Sequence, residues 1–75
     1  MSQLLRLCKK YCADFPGGGN LHIVLDDGNL EDFHIKFCIK EAEKEEDKVG
    51  QKIGEMLLEL TMKEREKLTE KVYND

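Results

Sequence analysis

Apolar residues recur every three or four positions along most of the chain, which is the spacing of one buried face of an α-helix. The pattern predicts helices over about 2–14, 21–27, 30–46, 48–60 and 62–73. Ser2 is the expected N-cap of the first helix, and the run from Pro16 to Gly19 should end it. Thr61 and Glu64 have the spacing of a capping box, so they should open the last helix.

The apolar stripes also predict which side chains enter the core. The first helix should bury Leu4, Cys8, Tyr11, Cys12 and Phe15, and the central one Leu30, Phe33, His34, Phe37 and Cys38. The two helices that follow should bury Val49, Ile53, Met56, Leu57 and Leu60, and then Met62, Leu68 and Val72. Gly50 and Gly54 lower helix propensity, and close approach of a neighbouring helix is the expected compensation.

The segment from Leu21 to Leu25 is the element whose conformation the pattern leaves open. Its β-branched residues favour a strand, but the chain offers no second strand to pair with it. Asn20 is a suitable N-cap and Gly28 a suitable C′ residue for a short buried helix. We therefore favour the helix, with one short strand at 21–25 as the alternative.

The central helix should follow with Asn29 as its N-cap and with apolar residues over more than half of its circumference. A helix of that kind is packed on several sides. Short turns between helices favour an antiparallel, bundle-like arrangement. The predicted fold is one compact all-α domain, residues 1–75, with three longer helices plus a short buried helix.

Size and charge limit the functions that this chain can perform. A 75-residue domain is near the lower limit for a single core, so a metal, a partner or formation of a homodimer would help to stabilise it. A net charge of −4 argues against direct nucleic-acid binding and permits a basic protein partner. No apolar run is long enough for a signal peptide or a membrane span, and three cysteines indicate reduced thiols in the cytoplasm.

Four residues have the spacing of a candidate metal site. Cys8 and Cys12 lie four apart on one predicted helix, and His34 and Cys38 lie four apart on another, so each pair shares a helix face. Three thiolates and one imidazole are a known structural zinc set. All four also fall on apolar stripes, where cysteine behaves as a small hydrophobic residue. We favour buried thiols with a hydrogen-bonded histidine and no cofactor; structural zinc in a regulatory domain is the alternative.

His22 and the pair Asp26–Asp27 are the only candidates for acid–base catalysis. His22 and Asp26 would share a helix face, and a carboxylate can orient an imidazole. No nucleophile, oxyanion donor set or cofactor loop accompanies them, and the glycines at 17–19 lack a phosphate-binding context. We predict that the protein is not an enzyme and that His22 bonds a backbone carbonyl or a carboxylate.

Acidic residues concentrate between positions 26 and 47, which hold nine of the sixteen acids against three lysines. Along one edge they would complement a basic groove on another protein, although solubility is their ordinary role. The candidate partner-binding residues are Asp26, Asp27, Glu31, Asp32, Glu43 and Glu46.

The stretch GGGNLHIVLDDGNLED, followed by FHIKFC, resembles small uncharacterised proteins encoded by bacteriophages and prophages, over most of the chain. The resemblance implies a bacterial cytoplasm and a role in the phage programme or the phage–host contest, with no catalytic residues. By analogy, the expected function is non-enzymatic binding to a host protein with a basic, nucleic-acid-binding surface. An inhibitor of a host defence nuclease complex, similar to an anti-CRISPR protein, is one form of it.

Overall fold

The structure, a computed structural model, describes residues 2–74, and all regular elements in that range are helical. They are α1 (Gln3–Asp14), a 3₁₀ turn (Gly19–Leu21), α2 (His22–Leu25), α3 (Asp32–Lys44), α4 (Lys48–Leu58) and α5 (Met62–Asn74). The all-α class is confirmed, and the strand considered at 21–25 does not form. Four helices have 11 to 13 residues; all four lie within the predicted helical ranges to within a residue, although the predicted fold counted three longer helices.

Two of the predicted helix starts are confirmed by their hydrogen bonds. Ser2 Oγ accepts from the Leu5 N–H at 3.1 Å. Thr61 and Glu64 form the capping box in both directions, with the Thr61 N–H to Glu64 Oε1 distance 2.8 Å and the Glu64 N–H to Thr61 Oγ1 distance 3.2 Å. Polar residues in the sequence therefore fix where α1 and α5 begin.

Two other predicted caps are wrong. Asn20 lies inside the 3₁₀ turn, and its N–H donates to the Tyr11 hydroxyl instead of starting a helix. Asn29 does not cap α3, which begins at Asp32 after Glu31. Gly28 does end the α2 turn with φ +75°, as predicted, and it donates to the Val24 carbonyl at 3.2 Å. Between Gly28 and the start of α3, the chain passes through Leu30, whose side chain is buried.

Helices α3 and α4 pack directly on each other at the centre of the molecule. A Cβ at Gly54 would overlap the Ile39 side chain, so the predicted close approach of a neighbouring helix is confirmed there. The buried hydrophobic cluster draws on every helix and comprises Leu4, Leu5, Cys8, Tyr11, Leu21, Val24, Leu25, Leu30, Ile35, Cys38, Ile53, Leu57 and Leu68. None of the helices described between residues 2 and 74 is long and apolar enough to cross a membrane.

Several side chains that were predicted to be buried are exposed. Phe33 and Phe37 are 63% and 54% exposed, and Phe15, Val49 and Met62 are exposed as well. In α3 the buried residues are Ile35, Cys38 and Ala42. Because a helix advances about 100° per residue, Phe33 and Phe37 lie on the side opposite Ile35. Helix α3 is therefore packed on one side and carries two phenylalanines on the other.

Arg65 is the one buried charged residue in the described range, at 4% exposure. Its Nε donates to the Leu57 carbonyl at 2.9 Å, and its Nη1 donates to the Leu30 carbonyl at 2.7 Å. Its Nη2 forms an ion pair with Asp32 Oδ1 at 2.7 Å. The guanidinium thereby satisfies a carbonyl at the C-terminal end of α4, where a cation is favourable, and joins α5 to the start of α3.

Candidate protein-binding cleft

A cleft of about 720 Å³ lies between the C-terminal end of α1 and the turn that joins α3 to α4. Its volume falls in the range of about 300–1,000 Å³ that is typical of ligand sites. It is lined by Leu7, Lys10, Tyr11, Asp14, Phe15, Gly19, Asn20, Glu45, Glu46, Asp47, Lys48 and Val49. Apolar, acidic and basic side chains therefore meet in one concave surface.

One hydrogen-bond network joins the segments that line the cleft. The Tyr11 hydroxyl donates to Asp47 Oδ2 at 2.5 Å and accepts from the Asn20 N–H at 3.1 Å. The Asn20 side-chain amide also donates to Asp47 Oδ2, at 3.1 Å. Asp47 Oδ1 accepts from the Gly50 N–H at 2.9 Å and so caps α4. The network ties α1, the 3₁₀ turn and the start of α4 together.

The protonation states in this network are set by the same contacts. Burial, followed by the hydrogen bond to Asp47, raises the pKa of Tyr11 to about 12, so Tyr11 is a neutral donor at physiological pH. Burial alone would raise the pKa of Asp47, but hydrogen bonds from Tyr11, the Gly50 N–H and Asn20 outweigh it and lower the pKa below the ordinary value. The carboxylate is therefore ionised, and both of its oxygens accept hydrogen bonds from within the fold.

Glu46 lines the cleft from a strained backbone position. Its φ is +56°, and it is the only residue other than glycine with a positive φ between residues 2 and 74. The position follows the end of α3, where the Asp47 N–H donates to the Ala42 carbonyl at 2.8 Å. Glycine is the usual residue in this left-handed conformation, and another residue costs about 1 kcal/mol. The chain thus has glutamate at position 46, where glycine would give a more stable fold.

The apolar part of the cleft is built from side chains that project from the fold. Phe15 and Val49 are each about half exposed, at 49% and 47%. The Phe15 ring packs on Tyr11 with 5.0 Å between ring centroids, which holds one wall in place. Lys10 pairs with Asp14 at 3.1 Å on the neighbouring turn of α1. Glu45 and Glu46 are both exposed at the edge formed by the α3–α4 turn.

The acidic residues predicted to bind a partner do not form one continuous edge. Asp26 accepts a hydrogen bond from the Tyr73 hydroxyl, and Asp32 pairs with Arg65. Glu31 Oε1 lies 3.8 Å from His34 Nδ1. Helix α3 is about 20 Å long and separates this group from the other acidic end. That other end holds Glu43 and Glu46, of which only Glu46 lines the cleft; Asp27 is exposed near the first group.

The structure does not assemble the candidate zinc site. Residues 2–74 contain no group of three or more His, Cys, Asp or Glu side chains that could hold a metal ion. Cys12 Sγ lies 3.5 Å from the Tyr73 hydroxyl, and His34 stacks on Phe33 with 4.0 Å between ring centroids. Burial raises the pKa of Cys8 to about 12 and that of Cys38 to about 11, which disfavours the thiolates that zinc requires.

The predicted hydrogen bond of His34 is likewise not formed. His34 Nδ1 is buried and has no hydrogen-bond partner among the described residues. Its neighbour Glu31 is close enough for an ion pair but too far for a hydrogen bond. His22 behaves as predicted, because its Nδ1 lies 3.1 Å from the Gly19 carbonyl. Asp26 pairs with Tyr73 instead, and no His22–Asp26 dyad forms.

Sequence reasoning did not connect Tyr11, Asn20 and Asp47, although it placed Tyr11 in the core and Asn20 at a helix cap. One signal was available, because an aspartate directly before a helix is a typical N-cap. The 36-residue separation of Tyr11 and Asp47 has no signature in a single sequence.

Comparison with known proteins found no match, whether to a protein-family model, to a curated protein or to a solved structure.

Proposed function

We propose that the protein acts by binding a basic segment of another protein in the cleft between α1 and the α3–α4 turn, and not by catalysis. The observation that carries the proposal is the combination of half-exposed apolar walls with carboxylates at the edge of the same cleft. Interfaces of this type use an apolar anchor surrounded by charged residues that orient the partner.

The charges of the cleft favour a cationic partner. Four acids line it, namely Asp14, Glu45, Glu46 and Asp47, against Lys10 and Lys48. Lys10 compensates Asp14 in their ion pair, and Asp47 is occupied by the internal network. Glu45 and Glu46 therefore supply the negative charge that a partner meets, and Lys48 is the single positive charge that remains beside them. Their carboxylates suit Lys or Arg side chains, whose methylene groups can pack on Phe15 and Val49.

The conformation of Glu46 supports the same function. A left-handed backbone conformation at a residue other than glycine lowers stability, and such strain often accompanies a functional requirement for the side chain. The Glu46 carboxylate lines the cleft, so binding is a reason for the chain to retain glutamate at this position.

The partner in this proposal is a bacterial host protein encountered in the cytoplasm. The resemblance to small phage and prophage proteins supports the host, and the acidic edge of the cleft supports a partner with a basic, nucleic-acid-binding surface. A component of a host defence nuclease complex is the specific form to examine first, with the chain acting as its inhibitor. The contact is made with the protein component and not with nucleic acid.

Affinity capture with matched variants tests the proposal. The immobilised wild type is exposed to bacterial lysate beside a cleft variant, Glu45→Lys with Glu46→Lys, and a control variant, Glu66→Lys with Glu70→Lys. Both variants change the net charge equally, and the control acids are exposed on α5 outside the cleft. We expect one protein to be enriched by the wild type and the control, and about tenfold less by the cleft variant.

Two outcomes would refute the proposal. In the first, no protein is enriched by the wild type over a blank surface. In the second, both variants lose the captured protein equally, which would indicate a response to total charge and not to the cleft. Circular dichroism spectra of the three proteins should superimpose, because all four substituted side chains are exposed.

A further inference from the structure

The outer face of α3 carries an exposed stripe of two aromatic and two basic residues: Phe33, Phe37, Lys40 and Lys44. The spacings of four, three and four residues place all four side chains on one side of the helix. None of them lines the cleft described above. The two rings are more than half exposed, and they are the two most exposed large hydrophobic side chains among the described residues.

The stripe has opposite charges at its two ends. Lys40 and Lys44 occupy its C-terminal half, whereas Glu31 lies at its N-terminal end with its side chain 64% exposed. Lys44 already pairs with Glu41 on the same helix at 3.2 Å, so Lys40, three residues after Phe37, is the other lysine of the stripe that a partner can meet. The surface is acidic at one end, aromatic in the middle and basic at the other end. The same surface on a second molecule, turned so that the two α3 helices are antiparallel, would set acidic against basic residues at both ends.

We propose that two copies of this chain associate through an antiparallel contact between their α3 helices. A contact of this kind has a two-fold axis, so the same patch serves on both copies. The axis would pass between Phe33 and Phe37, and the four rings of the pair would stack together and leave water. Ring stacking of aromatic residues adds to the gain from apolar burial.

The register of the contact follows from the position of the axis. The midpoint of Phe33 and Phe37 is position 35, so Lys40 of one copy lies opposite position 30 of the other. Glu31 is adjacent to that position, and the two-fold axis creates the Lys40–Glu31 pair twice. A parallel contact would instead set like charges against each other, which disfavours it.

The size of the face determines the strength of the contact. A helix of 13 residues is about 20 Å long, and a single helix pair of that length buries less than the roughly 1,200 Å² typical of stable complexes. The dimer is therefore expected to be a weak one. Association should be measured over a wide concentration range.

Sedimentation equilibrium between about 10 µM and 1 mM tests the contact with charge-exchanged variants. The wild type should dimerise with rising concentration, and Phe33→Ser with Phe37→Ser should remain monomeric. Lys40→Glu alone and Glu31→Lys alone should each weaken association by at least tenfold, because each creates two repulsive pairs. An equimolar mixture of these two single variants should dimerise again, and so should one chain that carries both substitutions.

The recovery by mixing distinguishes loss of this contact from loss of folding, because a variant that failed to fold would not regain association with another weakened variant. A wild type that stays monomeric at 1 mM would overturn the proposal. So would a dimer that none of the substitutions affects, or single variants that do not recover on mixing. A monomeric wild type that binds a labelled single-stranded oligothymidylate through Phe33 and Phe37 would assign the face to nucleic acid instead.

Discussion

Tyr11 donates a hydrogen bond of 2.5 Å to Asp47, a residue 36 positions further along the chain. The bond joins the C-terminal half of α1 to the N-cap of α4, and both residues line the cleft. A short bond to an ionised acceptor is stronger than a neutral one. It therefore fixes the width of the cleft as well as the packing of two helices.

Replacing Tyr11 with phenylalanine should lower the free energy of unfolding by about 1–2 kcal/mol, because it removes a hydrogen bond to a charged acceptor. Urea denaturation measures the change. Tyr73→Phe is the matched control, since it removes a hydroxyl that bonds Asp26 at an exposed site. We expect the control to lose less than half as much. If both variants lost the same free energy of unfolding, the Tyr11–Asp47 bond would contribute no more to stability than the exposed Tyr73–Asp26 bond.

The contribution of Asp47 should depend on pH. Its pKa is lower in the folded chain than in the unfolded one, so its stabilisation is present above the unfolded value and is lost as pH falls through the folded value. The ordinary value is 3.8, which places the loss below about pH 4. The difference in melting temperature between the wild type and Asp47→Asn should be larger at pH 7 than at pH 2.5. A difference that does not change with pH would contradict the assignment.

Removing the guanidinium of Arg65 should be the most damaging of the single changes considered. Arg65→Met leaves the Leu30 carbonyl without a donor, and a buried unpaired group costs about 1–3 kcal/mol. It also removes the Asp32 ion pair and one of the donors to the Leu57 carbonyl, which keeps the Leu60 N–H at 3.1 Å. We expect a loss of about 3 kcal/mol, a large part of the stability of a small domain. The free energy of unfolding of Arg65→Lys should lie between those of the wild type and Arg65→Met, because a single ammonium group cannot replace the several N–H donors of the guanidinium.

The control for that prediction is Arg6→Met, which removes an arginine that is exposed on α1. It should change the free energy of unfolding by less than about 0.5 kcal/mol. If the two methionine variants were equally stable, the buried position of Arg65 would be of no energetic consequence.

Glycine at position 46 should stabilise the protein while it weakens binding. Glu46→Gly relieves a positive φ and should raise the free energy of unfolding by about 0.5–1 kcal/mol. Glu45→Gly is the matched control, because φ at Glu45 is −97° and the same substitution there should lower stability. Thermal denaturation measures whether each of the two substitutions raises or lowers stability. Stability changes of the same sign would mean that Glu46 is not held under strain for the sake of binding.

The parts of the fold that local chemistry determines were predictable. Ser2, Thr61 and Glu64 cap their helices through neighbours three residues away, and Gly28 ends α2 by its backbone freedom. The prediction failed where tertiary contacts decide. Asn20 is held by the hydroxyl of Tyr11 from another helix, and no local pattern reveals that bond.

The orientation of α3 was mispredicted for a related reason. Its apolar residues surround the helix, so the sequence pattern allowed more than one buried face. Phe33 and Phe37 were assigned to the core by their spacing on one apolar stripe with Cys38, whereas the buried face is the one that carries Ile35 and Cys38. The choice depends on close packing against Gly54 of α4, which accepts the side chain of Ile39. The cleft was missed because its walls come from segments distant in sequence.

The most direct test of cleft binding is the dissociation constant of the captured partner for three proteins, measured by isothermal titration calorimetry. These are the wild type, the cleft variant with Glu45→Lys and Glu46→Lys, and the α5 control with Glu66→Lys and Glu70→Lys. We predict that the cleft variant binds at least about tenfold more weakly and that the control stays within about twofold of the wild type. Equal affinity for the wild type and the cleft variant would contradict binding in the cleft.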